Sequence, residues 1–197
     1  MTISEILRPH FGPMYEIISG GFDDYEKLYS GEVKIAHDAS CRAHIRNCHM
    51  RDRASKYATA HSVDERMFES KGLQGILINQ RIAILFKKLN DSLRPRNNST
   101  KQIDDYLAQR EIAGIPAIVK LVAGYTEDDE TGALTGVYVI CPSGLQNRWE
   151  FHLTVDEAVQ VSIPLFEEEE DVEEVDIFTR REPGEVIPIR KDGKDDD

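Results

Sequence analysis

The sequence predicts an α+β fold, with N-terminal helices including one long helix at about 33–61, then a mostly antiparallel sheet of about five strands with one inserted helix. Three observations predict it. Between Val33 and His61 there is neither Gly nor Pro, and Ala recurs at 36, 39, 43, 54, 58 and 60, which favours an unbroken helix. After Gly72 the apolar period changes to short runs rich in Ile and Leu. Turn chemistry separates the later runs at hairpin spacings, as in Asn79-Gln80, Asp128 to Gly132 and Pro142 to Asn147.

Taken in order, Thr2 with Glu5 forms a capping-box pattern, and Pro9 and Gly12-Pro13 limit the first helix to a short segment. A second helix is expected from Pro13 to Ser19, broken by Gly20-Gly21, and a third from Asp23 to Tyr29. The long helix follows. Ser62-Val63-Asp64-Glu65 repeats the capping box and predicts a helix closing at Gly72. Leu73 to Asn79 and Arg81 to Leu89 read as a hairpin, and Asn90 to Asn98, with Pro95, as a loop. Ser99-Thr100-Lys101-Gln102 is a third capping box, opening a helix with Ile103, Leu107 and Ile112 inward and an end near Gly114. Strands follow at Ala117 to Tyr125, Leu134 to Cys141 and Arg148 to Thr154, with Val159 to Pro164 a candidate last strand.

Residues 1–164 thus read as a single α+β domain. Residues 165–197 read as an acidic, largely extended or disordered segment, since 167–197 hold 14 Asp/Glu against 5 Lys/Arg. The charge is split along the whole chain. Residues 1–110 carry 17 Lys/Arg against 14 Asp/Glu, whereas 111–197 carry 7 against 22. A basic body beside an acidic end suits a protein whose own polyanion contacts a partner or masks a basic surface. Val175 to Phe178 and Val186 to Ile189, around Pro183-Gly184, are short extended motifs able to join a sheet edge. No apolar run approaches the roughly 20 residues that span a bilayer, and the first residues lack the pattern of a secretory signal. Cys41, Cys48 and Cys141 are too few for a disulfide framework, so a cytoplasmic setting is expected.

Three clusters carry candidate chemistry. His37, Cys41, His44 and Cys48 fall at i, i+4, i+7 and i+11 on one helix face, a pattern of soft and imidazole ligands suited to a transition metal. Eleven residues rise about 16 Å, so at most two of the four could share one ion. On another face Arg42, Arg46, His49, Arg53 and Lys56 recur at three and four residues. If brought near Lys87, Lys88, Arg94, Arg96 and Lys101, they would make a phosphate or polyanion surface. The Arg94 to Thr100 loop adds two guanidinium groups and a helix start, which together suit a phosphate.

No motif fixes a reaction or calls for a cofactor. The expected function is a cytoplasmic regulatory or interaction protein, compatible with one member of a bacterial regulatory, toxin–antitoxin or defence pair. Another protein is its first expected partner and nucleic acid the second. The alternative is an enzyme acting on a phosphate-bearing or nucleic-acid substrate, with His44 or His49 as acid–base and Arg94 and Arg96 as binding groups. A third reading is a metal site on the His/Cys face.

Overall fold

Helix α2, Phe11–Leu28, runs straight through Gly20-Gly21, which were expected to break it. The two glycines sit where α2 crosses α4, Ala39–Ala60. A Cβ on Gly20 would collide with the Arg53 guanidinium, and one on Gly21 would lie 2.7 Å from Met50 Cγ. Close helix packing therefore outweighs the cost of about 1 kcal/mol that each glycine imposes on a helix interior. The computed structural model describes residues 3–61, 65–96, 100–116, 119–154 and 161–163. Contacts divide the chain into Met1–Leu165 and Phe166–Asp197. The expectations for the acidic end, and for the Thr2 and Ser99 caps, fall outside the described residues.

The N-terminal helices are α1, Ile3–Leu7, a 3-10 turn at Arg8–His10, α2, α3 at Gly31–Ala36, and α4. The long helix is present as α4, but it starts six residues later than the sequence suggests. Asp38 is extended (ψ 172°), and its carboxylate accepts the Cys41 amide N–H at 2.7 Å, an N-cap that separates α3 from α4. From Glu65 on, the helix expected over 62–72 is replaced by a strand: β1, Glu65–Ser70, pairs antiparallel with β2, Leu73–Ile78. Gly72 is not a helix stop. Lys71 and Gly72, both at positive φ (49° and 82°), form the tight turn between these strands.

The remaining elements are β3 (Ile82–Lys88), α5 (Lys101–Leu107), β4 (Val119–Glu127), β5 (Leu134–Ser143), β6 (Gln146–Leu153) and β7 (Val161–Ile163). Asn79 and Gln80 supply the expected β2–β3 hairpin turn, each with φ near 50°. Thr100 caps α5, its hydroxyl accepting the Ile103 N–H. Among the described residues the sheet has seven strands in chain order. Every neighbouring pair is antiparallel except β3 and β4, which run parallel and are joined through α5.

Alternation along the strands then builds two cores. Ile82, Ile84 and Phe86 with Leu121, Ala123 and Tyr125 face α1, α2 and α4. Ala83, Leu85 and Val122 face the other side, against Ile103, Tyr106, Ile112 and Ile115. The buried Tyr106 hydroxyl lies 2.8 Å from both the Ala83 and Leu121 carbonyls, fixing α5 across the parallel pair. The fold is thus α+β, with helices on both faces of a mixed sheet.

Gly75 is the tightest backbone contact of the sheet, because a Cβ there would overlap the Ile84 carbonyl. Gly75→Ala is expected to lower unfolding free energy by at least about 2 kcal/mol in urea denaturation, the overpacking range. Gly31→Ala, at an exposed helix start with nothing within 4 Å, is expected to raise it by about 0.5 kcal/mol.

Candidate functional site

The parallel pair sets the position of the site. At the carboxyl ends of β3 and β4, where Lys88 stands beside Tyr125 in the register, the first half of α4 overhangs the strands and leaves a cleft of about 620 Å³. Its polar lining is Ser40, His44, Asn47, Lys87, Lys88 and Arg96. Carboxyl ends of parallel strands are a common place for ligands, because the chain leaves them in different directions and opens a crevice. Here Asn47 fixes the overhang by donating its side-chain N–H to the Phe86 carbonyl at 2.9 Å.

A ladder of charges rises from the core into this cleft. Arg46 is buried on α4, with its guanidinium 4.1 Å from the Phe22 ring centroid and 4.9 Å from that of Tyr25. It donates to Glu127 Oε2 at 2.6 Å, and Lys88 donates to Glu127 Oε1, also at 2.6 Å. The Arg46 and Glu127 side chains are 2% and 1% exposed. A carboxylate so fully removed from water is tolerated because both its oxygens face cations. Burial and the Glu127 carboxylate together push the Tyr125 phenol pKa far up, so that hydroxyl stays neutral. Farther out, one oxygen of Asp129 lies 3.5 Å from Lys88 Nζ and 3.7 Å from Arg96. Lys87 differs from its neighbours. Burial, with a contribution from Arg51, lowers its pKa from the usual lysine value, and its ammonium forms no ion pair or hydrogen bond among the described residues.

The residues singled out in the sequence divide between this cleft and other places. His44, Lys87, Lys88 and Arg96 meet in it. Arg46 lies beneath, committed to Glu127. Arg42 donates to the His37 carbonyl at 2.9 Å, and Arg53 binds Asp24 through two bonds of 2.6 and 2.8 Å. Lys56 remains on the surface, paired with Asp52. The basic stripe is therefore mostly the inner face of α4 and not an open polyanion track. Its buried positions Arg46, Met50, Ala54 and Ala58 recur every four residues. Arg94 is spent on the β5–β6 turn, donating to the carbonyls of Gly144 and Gln146 and to Asn147 Oδ1. His49 faces α2, where it helps lower the Asp24 pKa, and does not line the cleft.

The His/Cys face is not continuous either. His37 precedes α4, and its Nδ1 pairs with the Tyr25 hydroxyl at 2.8 Å. Cys41 is half-buried, while His44 and Cys48 are exposed. Among the described residues no three His, Cys, Asp or Glu side chains converge as a metal site would need.

Glu127 and Asp129 are the residues that sequence reasoning missed. The run from Asp128 to Glu130, just after Glu127, looks like a solvated turn, and Asp128 behaves as one, accepting the N–H groups of Glu130 and Thr131. Yet Glu127 continues the inward alternation of Leu121, Ala123 and Tyr125, and that was the available signal. The acidic partner of Lys88 thus comes from the parallel neighbour and not from its own strand. Comparison with family models, curated proteins and solved structures finds no match among any of them.

Two predictions follow from these ion pairs. Glu127→Gln leaves Arg46 and Lys88 without their shared counter-charge and is expected to cost about 3–5 kcal/mol in urea denaturation. A loss below about 1 kcal/mol would mean that the buried trio is not formed as described. The Arg53 hydrogen bonds hold the Asp24 carboxyl below its ordinary value of 3.8. A depressed carboxylate pKa stabilises the fold above the unfolded value, and that contribution disappears as pH falls through the folded value. Wild type should therefore lose stability below about pH 4 more steeply than Asp24→Asn in thermal melts across that range.

Proposed function

We propose that this is a regulatory or interaction protein that takes an anionic, phosphate-bearing group of its partner into the cleft between α4 and the ends of β3 and β4. One observation carries the reading. Lys87 is a partly buried ammonium with no counter-ion among the described residues, and it shares a concave cleft with Lys88 and Arg96. Removing a cation from water is costly unless something pairs with it, and an arriving anion recovers that cost. The shape favours a compact group over a nucleic-acid track along α4, since Arg42, Arg46 and Arg53 are already bonded inside the protein. The acidic segment, with 14 Asp/Glu among residues 167–197, supplies a separate contact to a basic surface of the partner.

Titration of the full chain with inorganic phosphate at low ionic strength tests this reading. Lys87→Gln and Arg96→Gln are each expected to weaken binding about tenfold, the scale of a charge-assisted hydrogen bond, and Lys56→Gln to leave it unchanged. Equal losses for Lys56 and Lys87 would move the site to the outer face of α4. Converting Glu167 to Glu170 and Asp171 to their amides is expected to leave phosphate affinity unchanged. Tighter binding would instead identify the acidic run as a competitor for the cleft.

A further inference from the structure

Asp129 stands apart from the other acids of the charge ladder. Glu127 is buried and bonded at 2.6 Å to both its cations, whereas the Asp129 side chain is 70% exposed and bonded to neither. Its Oδ1 lies between Lys88 Nζ and Arg96 at 3.5 and 3.7 Å, attracted but beyond hydrogen-bond distance. An ion pair whose carboxylate is this exposed and this loosely held is weak, so the Asp129 carboxylate is easily displaced. A phosphate oxygen, not tethered to the turn as the Asp129 carboxylate is, can settle closer to the two cations, at about 2.8 Å, and make the bonds that Asp129 does not. The turn does not depend on Asp129, because its amides and the Thr131 hydroxyl are held by Asp128. Lys87, in the same cleft, offers a second cation with no acid paired to it among the described residues.

Resting on the phosphate-binding reading above, we infer that the cleft takes two adjacent phosphate groups, as in a diphosphate. One displaces Asp129 from Lys88 and Arg96, and the other pairs with Lys87. Asp129 is then an internal competitor. It occupies one anion position in the free protein and moves aside when the ligand binds, which sets a threshold against weak monoanions such as chloride. The volume of about 620 Å³ lies within the range of small-molecule cavities and exceeds what a single phosphate needs.

The test is calorimetric titration of the full-length protein and its Asp129→Asn variant with inorganic pyrophosphate and inorganic phosphate, both at low ionic strength. Wild type is expected to bind pyrophosphate more tightly than phosphate, and Asp129→Asn to tighten pyrophosphate about three- to tenfold, the range set by two exposed ion pairs. Lys87→Gln should abolish the preference for pyrophosphate, weakening it by clearly more than the tenfold loss expected for phosphate. If wild type binds but Asp129→Asn is unchanged or weaker, the competitor role is overturned and the phosphate cleft stands. Equal affinity for the two anions in wild type overturns the two-phosphate ligand. Failure of both proteins to bind either anion overturns this inference together with the proposed function.

Discussion

The Glu127 carboxylate is the constraint around which the described domain is arranged. It sits at the end of a central strand, shielded from water, and is stable there only because Arg46 from α4 and Lys88 from β3 both donate to it. Each partner is held in turn. Arg46 is clasped by the rings of Phe22 and Tyr25 on α2, and Lys88 is fixed by the parallel register of β3 and β4. One carboxylate thereby ties α2, α4 and two strands at the point where the sheet changes from antiparallel to parallel pairing. Gly20 and Gly21 serve the same arrangement, because they let α2 approach α4 closely.

This constraint also separates cations that look alike in the sequence. Arg42, Arg46 and Arg53 are bonded to groups inside the protein, and Arg94 is bonded to a turn. Lys87 and Arg96 open onto a cleft, and Lys88 lines it as well while bonded to Glu127. The difference arises from position relative to the carboxyl ends of β3 and β4, not from charge density along the chain. A net charge of −12 therefore describes little of what the cleft meets, because the field there is set by cations a few ångströms away.

The class of fold was legible, and the reason is periodicity: the Ala-rich run of α4, the Ile- and Leu-rich strands and the Asn79-Gln80 turn each carry a local signal. What failed was local in another sense. Ser62 to Glu65 has the capping pattern of a helix, but pairing of β1 with β2 across the Lys71-Gly72 turn decides the structure, and such pairing is invisible to a cap rule. Gly20-Gly21 look like a break because the helix that packs on them lies far along the chain. Asp38 is an ordinary N-cap residue, read through because Ala-rich sequence flanks it. The cleft was legible in part: Lys87, Lys88, Arg96 and His44 were singled out, but their meeting depends on the parallel register, and Glu127 was hidden in an acidic run.

Glu127 locks Arg46 and Lys88, while Lys87 and Arg96 in the same cleft stand open to an anion. Side-chain NMR of Arg Nε–H and Lys Nζ–H groups, recorded with and without inorganic phosphate, tests it most directly. Arg46 is expected to exchange slowly and keep its shift, as befits a guanidinium buried against Glu127, while Lys87 and Arg96 move on addition of phosphate. Rapid exchange at Arg46, or shifts at Arg42 and Lys56 in place of Lys87 and Arg96, would contradict it.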